Sequence, residues 1–501
     1  MTSIERETGE IFKNPDFLII GGGEIGSKAS QLIEKTPTLK KLGFHTPKRT
    51  VLAEGFFNDF FQKSGLGANL RDVSANADTE TVVKNSSFSS EQLETLQTIC
   101  RSYGDKPLVI RSSAKGDARG TGTYKSVFVD NNITDFNQGL KQVLASYFSP
   151  DAIAFRKDAA TGEGFGVLIE PIIGHDFEGE IAPILSGFGY TSTSRGECHL
   201  TIVPGLGCAV ESRDGERITK SQIDKYNGIL SDYIDDAQYE NGNVARRNVA
   251  LFRTNEFVCI RDAYRAKVFH PYEKEIIDST IEYHDDIKIV FDNLNLNPVF
   301  SAMKKMERAF KKPQYFEWAM TAENGKPVFW IIQIADVDKK LDLVDFENSG
   351  EVIFTGHTVT GNGVKEASKI VVCYYPDDVG QLDKFNKENK DYILIYSGNL
   401  TCSVWKKEKL LNYRNFSNAS VLLEIQRSTH SENPLSHFDG QLDMTGKFFG
   451  VLYNDPKIPS GKYLEKIYFN VHQGNFKIIV SENQNKIVIY NQEDINTKTN
   501  G

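Results

Sequence analysis

Residues 312–337, KPQYFEWAMTAENGKPVFWIIQIADV, set Asn324-Gly325 between two runs in which apolar residues alternate with others. Asn-Gly suits the tight turns whose twist matches that of paired strands, so this stretch commits the chain to an antiparallel hairpin. The hairpin lies two thirds of the way along 501 residues, a length beyond one ordinary core, since domains run about 100–200 residues. Two large domains with small additions are therefore expected.

Hydrophobic residues make up 40% of the chain and charged residues 25%, the balance of a globular protein rather than a disordered one. A formal net charge of −9 disfavours a general nucleic-acid or acidic-membrane binder, although it leaves room for a local basic pocket for phosphates. The six cysteines are scattered and include no CxxC pair, so they read as small buried residues in a reducing compartment, not as a disulfide framework or zinc site. The N-terminus MTSIERETGEIF lacks the basic and apolar regions of a signal peptide. No run approaches the ~18 apolar residues of a membrane span, so a cytoplasmic protein with no membrane or nucleic-acid partner is expected.

The stretch DFLIIGGGEIGSKASQLIEK, residues 16–35, follows an apolar run with Gly21, Gly23 and Gly26 at the spacing of a dinucleotide-binding turn. An acidic residue about 20 positions on should complete such a unit. Here Glu54 stands 28 residues after Gly26, and a proline interrupts the approach to TVLA. The glycine spacing alone is weak support for a nicotinamide or flavin domain.

Taken with its continuation, LGFHTPKRTVLAEGFFNDFF, the same stretch resembles the opening of the ATP-grasp domain shared by pyruvate phosphate dikinase and phosphoenolpyruvate synthase. The resemblance puts Lys28 in the place of the family's nucleotide-phosphate lysine; taken alone, it is a solvated helix lysine. KPLVIRSSAKGDARGTGTYKSVFVDN (106–131) is similar to the family's V-x-R-S-S-A strand and mobile glycine loop. Gly116, Gly120 and Gly122 would let backbone N–H groups approach phosphate oxygens, with Lys115, Arg119 and Lys125 adding positive charge. Arg111, at a strand end next to Ser112, could give planar bidentate hydrogen bonds to a phosphate.

Further along, EGFGVLIEPIIGHDFEGEIAPIL (163–185) resembles the family's adenine-contacting segment, which implies a hinge at Glu170–Ile173 that includes Ile172. LTIVPGLGCAVESRDGE (200–216) resembles a glycine-rich strand and turn, with Cys208 where the family usually has glutamate. The hairpin at 312–337 is similar to P-Q-D-I-E-W-A … L-Q-A-R-P, implying that Glu317 and Gln333 face the nucleotide from adjacent strands and hold a metal. Magnesium prefers hard oxygen ligands and usually takes one or two from the protein with the rest from phosphates and water. The family's arginine after that glutamine is Ala335 here, followed by Asp336. Losing it removes a charged hydrogen bond worth roughly 1.5–3 kcal/mol, for which Arg195, Lys115 and Arg119 are the candidate substitutes.

After DLVDFENSG the sequence changes texture. VIFTGHTVTGNGVKEASKIVV (352–372), KDYILIYS (390–397) and NASVLLE (418–424) resemble, in order, the strands of the dikinases' swivelling phosphohistidine domain. NPLSHFDGQLDMTGKFFG (433–450) keeps Ser436, His437 and the nine-residue step to Gly446. A neutral imidazole with an ordinary pKa near 6.5 is a competent nucleophile toward phosphorus. This loop departs from the family in Glu432-Asn433-Pro434, in Leu435, in a second histidine at His430, and in Asp443 at an arginine position.

These readings give an α+β protein: an ATP-grasp domain at 1–340 with a helical connection at 217–311, a linker at 341–350, a swivelling β/β/α phosphohistidine-like domain at 351–455, and a β-rich C-terminal extension at 456–501. The resemblance implies a dikinase-type phosphotransferase using ATP and Mg²⁺. It would pass the β-phosphoryl to His437, with Arg111 assisting, and then to an unidentified small molecule or protein. A counterpart of the family's phosphoenolpyruvate-binding barrel is not expected in the residues after His437. The alternatives are direct γ-phosphoryl transfer by an ATP-grasp kinase or ligase, and a degenerate nucleotide-binding regulatory protein.

Overall fold

The computed structural model describes residues 12–13, 16–73, 78–116, 123–160, 164–177, 180–192, 198–204, 216–230, 248–250, 257–259, 293–337, 346, 351–374, 379–397, 412–425, 445–452, 469–481 and 486–492. The first sheet contains β1 (Phe12–Lys13), β2 (Phe17–Ile20), β3 (Arg49–Leu52), β4 (Leu108–Ala114), β5 (Ser126–Val129) and β6 (Phe165–Pro171). Their order is β1-β2-β3-β6-β4-β5, and only β2 and β3 run parallel, joined by the helix α1 (Gly26–Lys41). Three helices, α2 (Asn58–Lys63), α3 (Thr79–Asn85) and α4 (Ser90–Ser102), lead to β4, while α5 (Ile133–Ser146) and α6 (Pro150–Ala159) lead to β6.

Local sequence explains most helix starts. Ser89, Asn132 and Ser149 each accept a hydrogen bond from a first-turn N–H, and Pro150 follows Ser149 where its missing N–H costs nothing. Alternation in the strands then divides the apolar residues between two faces. Leu52, Leu108, Ile110, Val167 and Ile169 join Phe57, Phe60, Phe61 and Phe136 in one core, whereas Phe17, Val51 and Leu168 join α1 and the second sheet in another.

A short pair, β7 (His175–Phe177) and β8 (Glu180–Ala182), follows β6. The second sheet has the order β11-β10-β9-β14-β15 and is antiparallel throughout. Its strands are β9 (Leu185–Tyr190), β10 (His199–Pro204), β11 (Glu216–Thr219), β14 (Gln314–Glu323) and β15 (Lys326–Asp336). The hairpin read from Asn324-Gly325 is present, and both residues have positive φ, 51° and 69°, as a tight turn between twisted strands requires. The connection expected to be helical does contain α7 (Lys220–Asp224) and α8 (Asn297–Phe310), but also a strand pair, β12 (Asn248–Ala250) and β13 (Phe257–Cys259). Val299, Phe300, Met303 and Met306 of α8 enter the core beneath the second sheet.

The remaining strands close into a barrel in the order β16-β20-β19-β18-β17-β21-β22. They are β16 (Glu351–Thr360), β17 (Asn362–Tyr374), β18 (Tyr392–Ser397), β19 (Ala419–Ile425), β20 (Phe448–Leu452), β21 (Asn470–Ser481) and β22 (Lys486–Asn491), with α9 (Val379–Glu388) between β17 and β18. Strands β17 to β20 run parallel to their neighbours in that series, and β21 and β22 join them to β16 antiparallel. The segment expected as an extension after residue 455 is therefore corrected: it supplies two barrel strands, because β16 and β17 would otherwise present unpaired edges. In the segment between β18 and β19, Tyr413 packs against Phe155 of α6 and donates its hydroxyl to Asp158 at 2.9 Å. No helix among the described residues is long and apolar enough to cross a membrane.

Candidate nucleotide-binding site

The first turn of α1 anchors the site. Its N-cap, Ile25, has no side chain to cap the helix, so the cap comes from another element: Ser113 Oγ accepts from the Ala29 N–H at 3.0 Å. The approach is close enough that a Cβ on Gly26 would lie 1.5 Å from the Ser113 carbonyl oxygen, and Gly26 has φ +75°. Ser27 Oγ in turn accepts from the Gly116 N–H at 2.8 Å, where the glycine loop begins. The glycines that resembled a dinucleotide turn therefore serve tight backbone packing; a Cβ on Gly21 would meet Phe56, and Gly55 leaves room for the Gly22 carbonyl. Lys28 is half-buried in this same turn, beside the start of the loop, where the helix N-terminus adds positive potential.

Arg111 lies on β4 with Ser113 on the face toward the second sheet. Its NH1 is 3.0 Å from Glu317 Oε2 on β14, and its Nε is 3.0 Å from Glu170 Oε1 on β6. The first contact is a hydrogen bond, while the second has the distance of an ion pair without hydrogen-bond geometry. Glu170 is 1% exposed and accepts from Arg49 Nε at 2.8 Å. Arg49, also 1% exposed, spends its other nitrogens on the carbonyls of Pro47, Ile331 and Ile332. Burial pulls the Arg49 guanidinium below its ordinary pKa, against the attraction of Glu170, which raises it.

Glu317 and Gln333 stand directly opposite one another on β14 and β15. They share a face only because of a bulge: Trp318 pairs with Ile331, Glu317 pairs with Gln333, and Ile332 is the extra residue. Without it, Gln333 would follow Ile331 into the core. A half-buried carboxylate beside an amide oxygen suits Mg²⁺, which takes few protein oxygens and completes its shell from phosphates and water. Among the described residues no group of three or more His, Cys, Asp or Glu could hold a metal ion, so phosphate oxygens would have to contribute.

The other sequence-derived residues fare differently. Ser112 and Ser113 are both fully buried; Ser112 takes the face of β4 shared with Leu108 and Ile110, whereas Ser113 takes the other and accepts from the Ala29 N–H of α1. At the segment expected to form an adenine hinge, the Glu170 side chain is committed to arginines, and the Ile172 N–H donates to the Pro107 carbonyl at 2.9 Å. Ile173 follows at the exit from β6. Ala335 is fully buried, and Asp336 turns to the opposite face, where Lys35 and Gln314 hold it. Burial alone would raise the Asp336 carboxyl, but these hydrogen bonds outweigh it and keep its pKa below the usual range. Gly120, Gly122, Arg119, Arg195, Cys208, His430, His437 and Asp443 lie outside the described residues.

Sequence reading missed Arg49, whose only signal is a charge at the head of the short strand RTVL, and Ser113, hidden by its neighbour Ser112.

A search of curated proteins finds no match to this chain. The family model for the pyruvate phosphate dikinase AMP/ATP-binding domain matches residues 23–341, well over half of the 501 residues and the whole region from α1 to β15. The glycine-rich helix start, the Arg111 strand and the Glu317–Gln333 hairpin are thus parts of one recognised nucleotide-binding unit, and the chain belongs to the pyruvate phosphate dikinase AMP/ATP-binding domain family.

Proposed function

We propose that the protein is an ATP-dependent, dikinase-type phosphotransferase. The observation that carries this reading is the meeting of Arg111, from the first sheet, with Glu317 and its neighbour Gln333, from the second. A guanidinium and a carboxylate at that junction supply what phosphoryl transfer needs: a fixed cation for phosphate oxygens and a hard oxygen for a metal. Lys28, in the first turn of α1, adds a second cation, and backbone groups of 170–173 would border the adenine. Magnesium, when bound by Glu317 and Gln333, would neutralise charge developing on the phosphate oxygens.

His437 is the proposed acceptor of the β-phosphoryl. In sequence it falls between two parallel barrel strands, β19 and β20, at the position where the resemblance puts the family's phosphohistidine. The imidazole nitrogen would bond to the β-phosphorus as AMP leaves with the bridging oxygen. Water then takes the γ-phosphoryl as phosphate, and the phosphohistidine passes its group to a small-molecule or protein hydroxyl, carboxylate or enolate. Mg²⁺ and [β-³²P]ATP, given to the wild type and to His437→Ala, test this. Acid-labile label on the wild type alone supports it; ADP release with no label on either protein points to direct γ-transfer instead.

Ala335 favours a second reading. It stands buried where the family has a phosphate-binding arginine, which suits a protein that binds nucleotide without turnover. Tight ATP binding with neither AMP nor ADP formed would support that reading.

A further inference from the structure

Four charges cross the junction of the two sheets: Arg49 on β3, Glu170 on β6 and Arg111 on β4, three adjacent strands of the first sheet, and Glu317 on β14 of the second. The side chains of Arg49 and Glu170 are 0% and 1% exposed, those of Arg111 and Glu317 19% and 25%. Glu170 stands between two guanidiniums and carries one negative charge. Whichever arginine it neutralises, the other keeps its charge. The directed bond runs from Arg49, Nε to Oε2 at 2.8 Å, whereas the Arg111 Nε only lies near Oε1.

Arg49 is held from behind. Its NH2 group donates to two consecutive carbonyls, Ile331 at 3.2 Å and Ile332 at 2.8 Å, which the bulge turns toward it. Its hold on Glu170 is thus fixed by the same bulge that brings Gln333 beside Glu317. No water competes at a fully buried pair, so the neutralisation is strong and local.

We propose that Arg49 is a positioning residue for phosphate binding: by satisfying Glu170 from the buried side, it leaves the charge of Arg111 available to nucleotide phosphates once a metal engages Glu317. This rests on the nucleotide-site reading above. Without Arg49, the Glu170 carboxylate turns to Arg111 and withdraws that cation from the cleft.

ATP and adenosine share base and sugar, so the ratio of their affinities in Mg²⁺ isolates the phosphate contribution. Titration calorimetry on the whole chain compares the wild type with Arg49→Met, Arg49→Lys and the double variant Arg49→Met/Glu170→Gln. The Arg49→Met ratio should fall about tenfold, the scale of one charged hydrogen bond. Arg49→Lys, which keeps the charge, and the double variant, which removes the carboxylate that would capture Arg111, should stay within about threefold of the wild type. A purely structural Arg49 would lower folding stability in all three and leave the ratio unchanged in Arg49→Met, or lose it again in the double variant; either result overturns the proposal. If Arg49→Met does not fold, Arg49→Gln, neutral but able to keep a hydrogen bond to Glu170, takes its place: the same fall in the ratio is expected, and an unchanged ratio overturns the proposal. A wild type that binds ATP no better than adenosine overturns the nucleotide-site reading itself, and the role of Arg49 with it.

Discussion

Arg111 and Glu317 neutralise one another across the junction of the sheets, so a phosphate and a metal ion have to part them together. The phosphate takes the guanidinium, and the metal takes the carboxylate. Glu317→Gln should therefore bind metal-free ATP about tenfold more tightly than the wild type and lose most of the Mg²⁺ dependence of binding, which calorimetry with and without EDTA would measure. A second residue-scale expectation concerns Ala335. Putting back an arginine there should not regain a phosphate contact, because the position is fully enclosed opposite Tyr315. Ala335→Arg should instead lower stability by roughly 1–3 kcal/mol in urea denaturation, with no gain in ATP affinity. Arg111, Glu317 and Gln333 were named from short motifs that resemble the family's, and the structure brings the three side chains to one junction. Arg49 was not legible, since its partners lie 121 and more than 280 residues away.

Two elements show how local grammar bends to tertiary demand. Helix α1 opens with Gly26 because a neighbouring strand sits where a side chain would go. Gly26→Ala should cost at least about 2 kcal/mol, combining a left-handed backbone with a clash that neither backbone can relieve. Gly65→Ala, at φ +69° with nothing within 4 Å of the added Cβ, should cost only about 1–2 kcal/mol. Thermal or urea melts of the two variants give the comparison. The strand β15 makes the complementary point. Its sequence is apolar without a break from Val328 to Ile332, so no local pattern marks the bulge that the pairing places at Ile332. The hairpin itself followed from Asn324-Gly325, but which face Gln333 took depended on a single inserted residue. Arg49 satisfies the carbonyls that this residue exposes, so the bulge and the buried arginine form one device.

At the scale of the molecule, Tyr413 and Arg414 bond α6 to the barrel, and Lys447 is buried close to this seam. Its Nζ donates to the Ala419 carbonyl at 2.9 Å and to the Ser417 carbonyl, with Asp158 of α6, Lys365 and Asp391 as the nearby charges. Burial brings its pKa down to about 8, offset in part by Asp158. Between that value and the ordinary one near 10.5, the unfolded chain holds a proton that the folded lysine has released. Stability should therefore rise with pH across this window. From pH 7.5 to 9.5 the wild type should gain roughly 1–2 kcal/mol relative to Lys447→Met in urea denaturation; a parallel pH dependence of the two proteins would remove this account. The sequence by itself determined what depends on neighbours along the chain: helix starts at Ser89, Asn132 and Ser149, the Asn324-Gly325 hairpin, and the strands that flank it. Only the tertiary structure decided what depends on distant groups brought together. It chose Ser113 over Ser112 as the cap of α1, enlisted β21 and β22 to close the barrel, and buried Arg49 against Glu170. A hydrogen-bond donor or a charge taken from water must find its partner somewhere, and no local pattern records a partner hundreds of residues away.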